Sequence, residues 1–170
     1  EFSPDEQRLW DAVQQLLLDS NLGEAQVYVH RDYMPRNLMV ADGEPGVLDF
    51  QDALYGPVSY DVTSLFADAF YSWSATERGQ WLTRYWQQAV AAQLPVPAQL
   101  SAFLDQARLM GVQRHLKVLG IFARICHRDG KPHYLADAPR FVRYLREACA
   151  DDVRLQPLAE LLDSLGMPAA

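Results

Sequence analysis

The stretch VYVHRDYMPRNLMV, residues 27–40, decides how this chain is read. It sets a histidine, two arginines, an aspartate, a proline and an asparagine between two short apolar runs. AQVYV, residues 25–29, is a short β-prone run. NLMVADGEPGVLDF, residues 37–50, is two apolar runs flanking Asp42, Gly43, Glu44, Pro45 and Gly46, a hairpin signal with glycines placed to turn. The polar residues between them are therefore expected in a loop that leaves a strand and enters a hairpin.

Around this element the spacing is helical. SPDEQRLWDAVQQLLLDSN, residues 3–21, predicts a helix: Ser3 can cap, Pro4 suits the first helical position, Glu6 completes a capping box, and Leu9, Val13, Leu16 and Leu17 form a stripe. After Phe50 helical periodicity dominates. Segments are expected over residues 59–73, over 74–94 with a second capping box from Ser74 and Glu77, over a long stretch 97–130 that could break near Gly111, and over 139–150 and 154–165. With no repeat, low-complexity tract or linker, residues 1–170 are expected to form a single unit. Its fold class is α+β and mainly helical, with a small β element near the N-terminal end.

Composition narrows the function. An apolar fraction of 49% with 22% charged residues suits a globular domain with a real core. The net charge of −7 repels polyanions, so nucleic acid and anionic membrane surfaces are not expected as partners, and an anionic ligand would need a local basic site. No apolar run approaches a membrane span. Cys126 and Cys149 lack metal-type spacing with the four histidines and read as free thiols of a cytoplasmic protein.

His30, Asp32 and Asn37 stand in the pattern H-x-D-x-x-x-x-N, and Asp49 follows at the end of the hairpin. Moving a phosphoryl group to an alcohol requires an acceptor for the hydroxyl proton and cations that spread charge on the transferring phosphate. The combination resembles the kinase signature set. DFQDALYGPVSYDVTSL, residues 49–65, is more similar to the aminoglycoside phosphotransferase family of small-molecule kinases than to protein kinases. The metal-binding aspartate leads into a Gly-Pro loop, here Gly56 and Pro57, and then an aspartate opening a helix, Asp61; D-F-G and A-P-E are absent. Within that family, HRDYMPRNLMV, LDFQDALYGPVSYDV and QRHLKVLGIFARICHRDGK most resemble bacterial kinases that phosphorylate the anomeric hydroxyl of N-acetylmuramate and N-acetylglucosamine in peptidoglycan recycling. Arg31 departs from the wider family, whose loop commonly has glycine there, and so does Arg36.

The resemblance implies a protein-kinase-like C-terminal lobe whose hairpin carries the catalytic loop. ATP and Mg2+ would be the cofactors and an amino sugar the acceptor. Asp32 would be the base, Asn37 and Asp49 the magnesium ligands, and His30 and Asp61 supports for the loop. An aminoglycoside or other alcohol acceptor, or a catalytically silent binding module, are the rival readings. A complete kinase of this type also needs a phosphate-covering loop and a strand lysine. The nine glycines include no such cluster and the only lysines are Lys117 and Lys131, so the N-terminal nucleotide-binding lobe is expected to be absent and the chain alone to be inactive.

The remaining candidates are open. Arg114, Lys117, Arg124 and Arg128 fall within one helical arc, either a solvated stripe or a site for an anionic ligand such as the lactyl carboxylate of N-acetylmuramate. Asp52 is either a substrate contact or a loop cap. His115 is expected to be packed, and Trp10, Trp73, Trp81 and Trp86 to serve the core.

Overall fold

The computed structural model describes residues 2–40, 42–67, 71 and 73–167. The chain is mostly helical with two small antiparallel sheets. Helix α1 (Pro4–Leu22) is followed by strand β1 (Gln26–Val29), a 3-10 turn (Pro35–Asn37), and strands β2 (Leu38–Met39), β3 (Gly46–Val47) and β4 (Leu54–Pro57). Helices α2 (Tyr60–Phe66), α3 (Ala75–Ala91), α4 (Leu100–Asp129), α5 (Ala138–Asp151) and α6 (Gln156–Ser164) complete it. Contacts divide the chain into two units, one of residues 1–20 with 112–170, the other of residues 21–111.

In the first unit the expected cap of α1 is present: the Ser3 N–H donates to Glu6 Oε2 at 2.7 Å and the Glu6 N–H to Ser3 Oγ at 3.3 Å. Val13 and Leu17 of α1 are buried, and so are Phe141 and Leu145 of α5 and Leu158, Leu161 and Leu162 of α6. These positions follow the three-to-four residue spacing of helices with one apolar face. Arg146 ties this unit together, donating to the Ala159 carbonyl at 3.2 Å and the Met167 carbonyl at 2.5 Å.

The second unit holds both sheets. Strand β1 pairs with β4 in the register Gln26↔Pro57 to Val29↔Leu54, and β2 pairs with β3 in the register Leu38↔Val47 and Met39↔Gly46. Strand β4 is not legible from LYGP, because Gly-Pro signals a turn and proline lacks the ladder donor; Pro57 sits at the last paired position, where that loss is tolerated. Gly56 is required by close approach, since a Cβ there would lie 2.8 Å from Val29 Cγ2.

Three helix expectations change. The segment expected over residues 59–73 is helical only to Phe66 and capped by Ala67; residues 68–70 and 72 of that expectation lie outside the described residues. Gly111 does not interrupt α4. It is buried between Met110 and Val112, and the burial of these neighbours exceeds the cost of about 1 kcal/mol for a mid-helix glycine. The expected segment 154–165 begins as a 3-10 turn (Val153–Leu155) before α6.

Candidate active site

Strand β1 ends at the buried Val29, and the next two residues are fixed by one side chain. The N–H of His30 donates to Asp61 Oδ2 at 2.6 Å and the N–H of Arg31 to Asp61 Oδ1 at 3.0 Å. Asp61 stands in the first turn of α2, where the helix dipole favours a carboxylate. Holding two consecutive amides on one carboxylate turns the chain sharply, and Arg31 takes φ +74°. That left-handed conformation costs a side-chain-bearing residue about 1–2 kcal/mol and is free of penalty for glycine. It explains why glycine suits this position in related loops, and Arg31 Nη1 returns a bond to the Asp52 carbonyl at 3.3 Å.

Beyond the turn, the 3-10 segment opens at Pro35 and brings Asn37 back, so that Asn37 Nδ2 donates to the Asp32 carbonyl at 2.9 Å. That bond uses one of the two Nδ2 hydrogens and leaves Oδ1 able to serve as an oxygen donor. The Leu48 N–H donates to the Asn37 carbonyl at 2.9 Å, which extends the β2–β3 pairing by one step and places Asp49 next to Asn37's partner. Asp49 also adopts a left-handed backbone, φ +69°, and its Oδ1 accepts from Gln51 Nε2 at 2.8 Å. His30 closes the ring of contacts. Its Nε2 lies 2.9 Å from the Leu48 carbonyl, which can only accept, so Nε2 carries the proton. Its Nδ1 is buried without a hydrogen-bond partner among the described residues.

Against this bonded frame, the half-buried Asp32 carboxylate has no hydrogen-bond or ion-pair partner among the described residues. Asn37 and Asp49 together offer one neutral and one anionic oxygen donor. That set fits a hard ion such as magnesium, which takes one or two protein ligands and keeps water and phosphate for the rest. It does not resemble a closed metal site, and no group of three or more His, Cys, Asp or Glu side chains suited to a metal occurs among the described residues.

Beside the loop lies a cavity of about 520 Å³ between facing sides of α2 and α3. Asp61, Val62, Leu65 and Phe66 form one wall, Trp81, Arg84, Tyr85 and Gln88 the other, and Tyr33, the neighbour of Asp32, closes it. Positions 81, 84, 85 and 88 share one helical face by their spacing. Burial first and the Asp61 charge second hold the Tyr85 hydroxyl above its usual pKa.

The other expected residues fall elsewhere. Asp52 serves the loop through its backbone carbonyl. Arg114 and Lys117 belong to the first unit. Arg114 is only 8% exposed, so the basic arc is not a uniform solvated stripe; Lys117, Arg124 and Arg128 are exposed. His115 is packed as expected, stacked on Tyr144 at 5.0 Å and tilted against Phe141 at 5.5 Å. Both cysteines are free. Among the described residues no helix is long and apolar enough to cross a membrane.

Glu24 was not anticipated. It is 5% exposed, and its carboxylate accepts the Ser59 hydroxyl at 2.9 Å and the Ser59 N–H at 3.2 Å, which fixes the entry to α2 and hence Asp61. Burial holds its carboxyl above the ordinary glutamate value, the two Ser59 bonds opposing. A lone glutamate between Gly23 and Ala25 carries no local sign of this.

Residues 2–103 match the family described as phosphotransferase enzyme family. Over 164 residues, 96% of this chain and 48% of the relative, the chain is 57% identical to an N-acetylmuramate/N-acetylglucosamine kinase of Pseudomonas putida. It is 58% identical over 156 residues to the kinase of that name from Pseudomonas aeruginosa, 92% of this chain and 46% of the relative. The kinase of that name from Neisseria meningitidis is 49% identical over 165 residues, 97% of this chain and 49% of the relative. The chain thus spans about half the length of the curated relatives it matches.

Proposed function

This chain belongs to the phosphotransferase enzyme family, and we propose that it is the C-terminal lobe of an ATP-dependent kinase acting on the anomeric hydroxyl of N-acetylmuramate or N-acetylglucosamine. The observation that carries the proposal is the partnerless Asp32 carboxylate in a loop whose other polar groups are bonded to one another. The activity for which the relatives are named supports the acceptor, and an anomeric phosphate would return cell-wall sugars to peptidoglycan recycling.

In the reaction so assigned, the sugar hydroxyl oxygen forms a bond to the γ-phosphorus of ATP. The bond from that phosphorus to the β–γ bridging oxygen breaks, ADP leaves, and the hydroxyl proton passes to an Asp32 carboxylate oxygen. Asn37 through Oδ1 and Asp49 through its carboxylate would hold Mg2+, which when bound neutralises charge on the phosphates. Asp61 holds the two amides before Asp32, and His30 holds the loop to the hairpin, so that Asp32 meets the hydroxyl in one orientation. In this reading His30, Asp32 and Asn37 form a catalytic loop between β1 and the β2–β3 hairpin, with Asp61 behind it.

The rest of the nucleotide site is assigned to an N-terminal lobe outside these 170 residues. Tyr28, Leu48, Phe50, Leu54 and Tyr55 form exposed apolar surface around the sheets, with Tyr28 at 81%, and such surface suits coverage by another part of the protein. Asp52 remains a proposed contact for the sugar.

Steady-state kinetics of the full-length protein test the assignment. Asp32→Ala is expected to lower kcat by about 10²–10⁴-fold with each KM changed only a few-fold, as for a lost proton acceptor. Retention of kcat within threefold would remove Asp32 from the chemistry.

A further inference from the structure

We propose that the cavity between α2 and α3 is the acceptor-sugar subsite and that Arg84 reads the lactyl carboxylate of N-acetylmuramate, an inference that rests on the phosphotransfer reading above. The cavity's size, about 520 Å³, lies within the range of about 300–1,000 Å³ typical of small-molecule sites. Two residues tie it to the loop: Tyr33, which follows Asp32, lines it, and so does Asp61, which holds the His30 and Arg31 amides; the Asp32 side chain is not part of the lining. A sugar lodged there lies against Tyr33, one residue from the proposed base.

The lining is mixed in the way a substituted sugar requires. Val62, Leu65 and Phe66 from α2 and Trp81 from α3 supply apolar lining, with the Phe66 and Trp81 rings stacked on each other across the two helices at 5.8 Å and 8°. This apolar lining suits the N-acetyl methyl group and the C–H face of the ring. The opposite requirement, hydrogen bonding, falls to Arg84 and Gln88. Neither side chain has a hydrogen-bond or ion-pair partner among the described residues. Arg84 is held over the Trp81 ring at 5.6 Å, a cation–π contact that orients the guanidinium without using its donors.

The charge pattern selects the ligand. Arg84 is the cation of the cavity lining, in a chain whose net charge is −7. Asp61 also lines the cavity, yet both of its oxygens accept backbone N–H groups, which offsets repulsion of an anionic guest. N-acetylmuramate differs from N-acetylglucosamine by a lactyl ether ending in a carboxylate, which matches the fork of an arginine. Arg84 is thus a specificity residue, and its loss penalises one sugar of the pair.

The test is kcat/KM for both sugars and for ATP with the full-length protein, its Arg84→Met and Arg84→Lys variants, and Arg114→Met for comparison. For Arg84→Met a loss of about tenfold or more is expected with N-acetylmuramate, the scale of a charge-assisted hydrogen bond, and less than about threefold with N-acetylglucosamine. Lysine should restore part of the loss, and the KM for ATP should not move. Equal losses for the two sugars, a raised ATP KM, or a selective loss in Arg114→Met instead would each overturn the assignment of Arg84 while leaving phosphotransfer intact. If the unaltered protein phosphorylates neither sugar, the phosphotransfer assignment and this inference fall together.

Discussion

Removing the Asp61 carboxylate should release the loop that it anchors. Asp61 accepts two backbone N–H groups, at 2.6 Å from His30 and 3.0 Å from Arg31. A hydrogen bond to a charged group contributes about 1.5–3 kcal/mol, and the part-buried setting selects the lower end of that range. Asp61→Ala loses both and leaves two amides that water reaches only in part, so a destabilisation of about 2–4 kcal/mol is expected. At about 2–4 °C per kcal/mol for a chain of this size, Tm should fall by about 4–16 °C. Asp61→Asn keeps one acceptor oxygen and presents an N–H2 group to the second amide, so its loss should be intermediate. The left-handed backbone of Arg31, which the clamp maintains, should relax in the alanine variant and expose the loop to cleavage after Arg31. Urea unfolding followed by far-UV circular dichroism measures the stability, and limited trypsin digestion measures the loop. An Asp61→Ala chain within about 0.5 kcal/mol of the parent, with unchanged digestion, would show that the clamp does not hold the loop.

Three further outcomes follow from individual residues. Arg31→Gly and Arg31→Ala lose the same guanidinium contact, but only glycine accepts φ +74° without strain, so the glycine variant should be the more stable by about 0.5–1 kcal/mol; equal or reversed midpoints would contradict this. Burial raises the folded pKa of Glu24 above 4.5, so the native state binds the extra proton, and the stability it contributes is lost as pH rises through the folded value. The stability of the parent relative to Glu24→Gln should therefore increase as pH is lowered from 7 towards 4.5, and parallel pH profiles would contradict it. Burial pushes the Cys149 thiol up to about 11, which leaves about one molecule in a thousand as thiolate at pH 8. Its labelling by a disulfide reagent should be slow in the folded chain and speed up about tenfold per pH unit; labelling as fast as in urea would contradict this.

Helices with strong local signals were legible in the sequence. Ser3 with Glu6 and Ser74 with Glu77 form the capping boxes their spacing predicts, and α1 and α3 begin where those boxes place them. The β2–β3 pairing follows from two apolar runs around a glycine-rich turn. Strand β4 was hidden because its four residues are held by pairing with β1, a partner about 30 residues away, while Gly56 and Pro57 locally suggest a turn. The end of α2 at Phe66 was hidden too, since apolar spacing continues past the point where the hydrogen bonds stop.

For the site, the polar loop announced its own residues, and Asp61 was expected as a support. What the sequence could not supply was the means: two amides on one carboxylate, and an arginine held in a glycine's conformation. Glu24 and the cavity escaped for one shared reason. Both depend on which side chains meet between elements distant in sequence, Glu24 with Ser59 and α2 with α3, which periodicity reports only in part. Trp81, Arg84, Tyr85 and Gln88 show a common helical face in sequence, but not that α2 leaves a cavity opposite it.

The central claim is phosphotransfer to the anomeric hydroxyl through Asp32. The most direct measurement is phosphorus NMR of the full-length protein with magnesium-ATP and either N-acetylmuramate or N-acetylglucosamine, run beside Asp32→Ala. A new anomeric sugar-phosphate resonance growing in step with ADP, and absent from the variant, is the expected result. ATP left intact with both sugars, or the same resonance at an undiminished rate in Asp32→Ala, would contradict it.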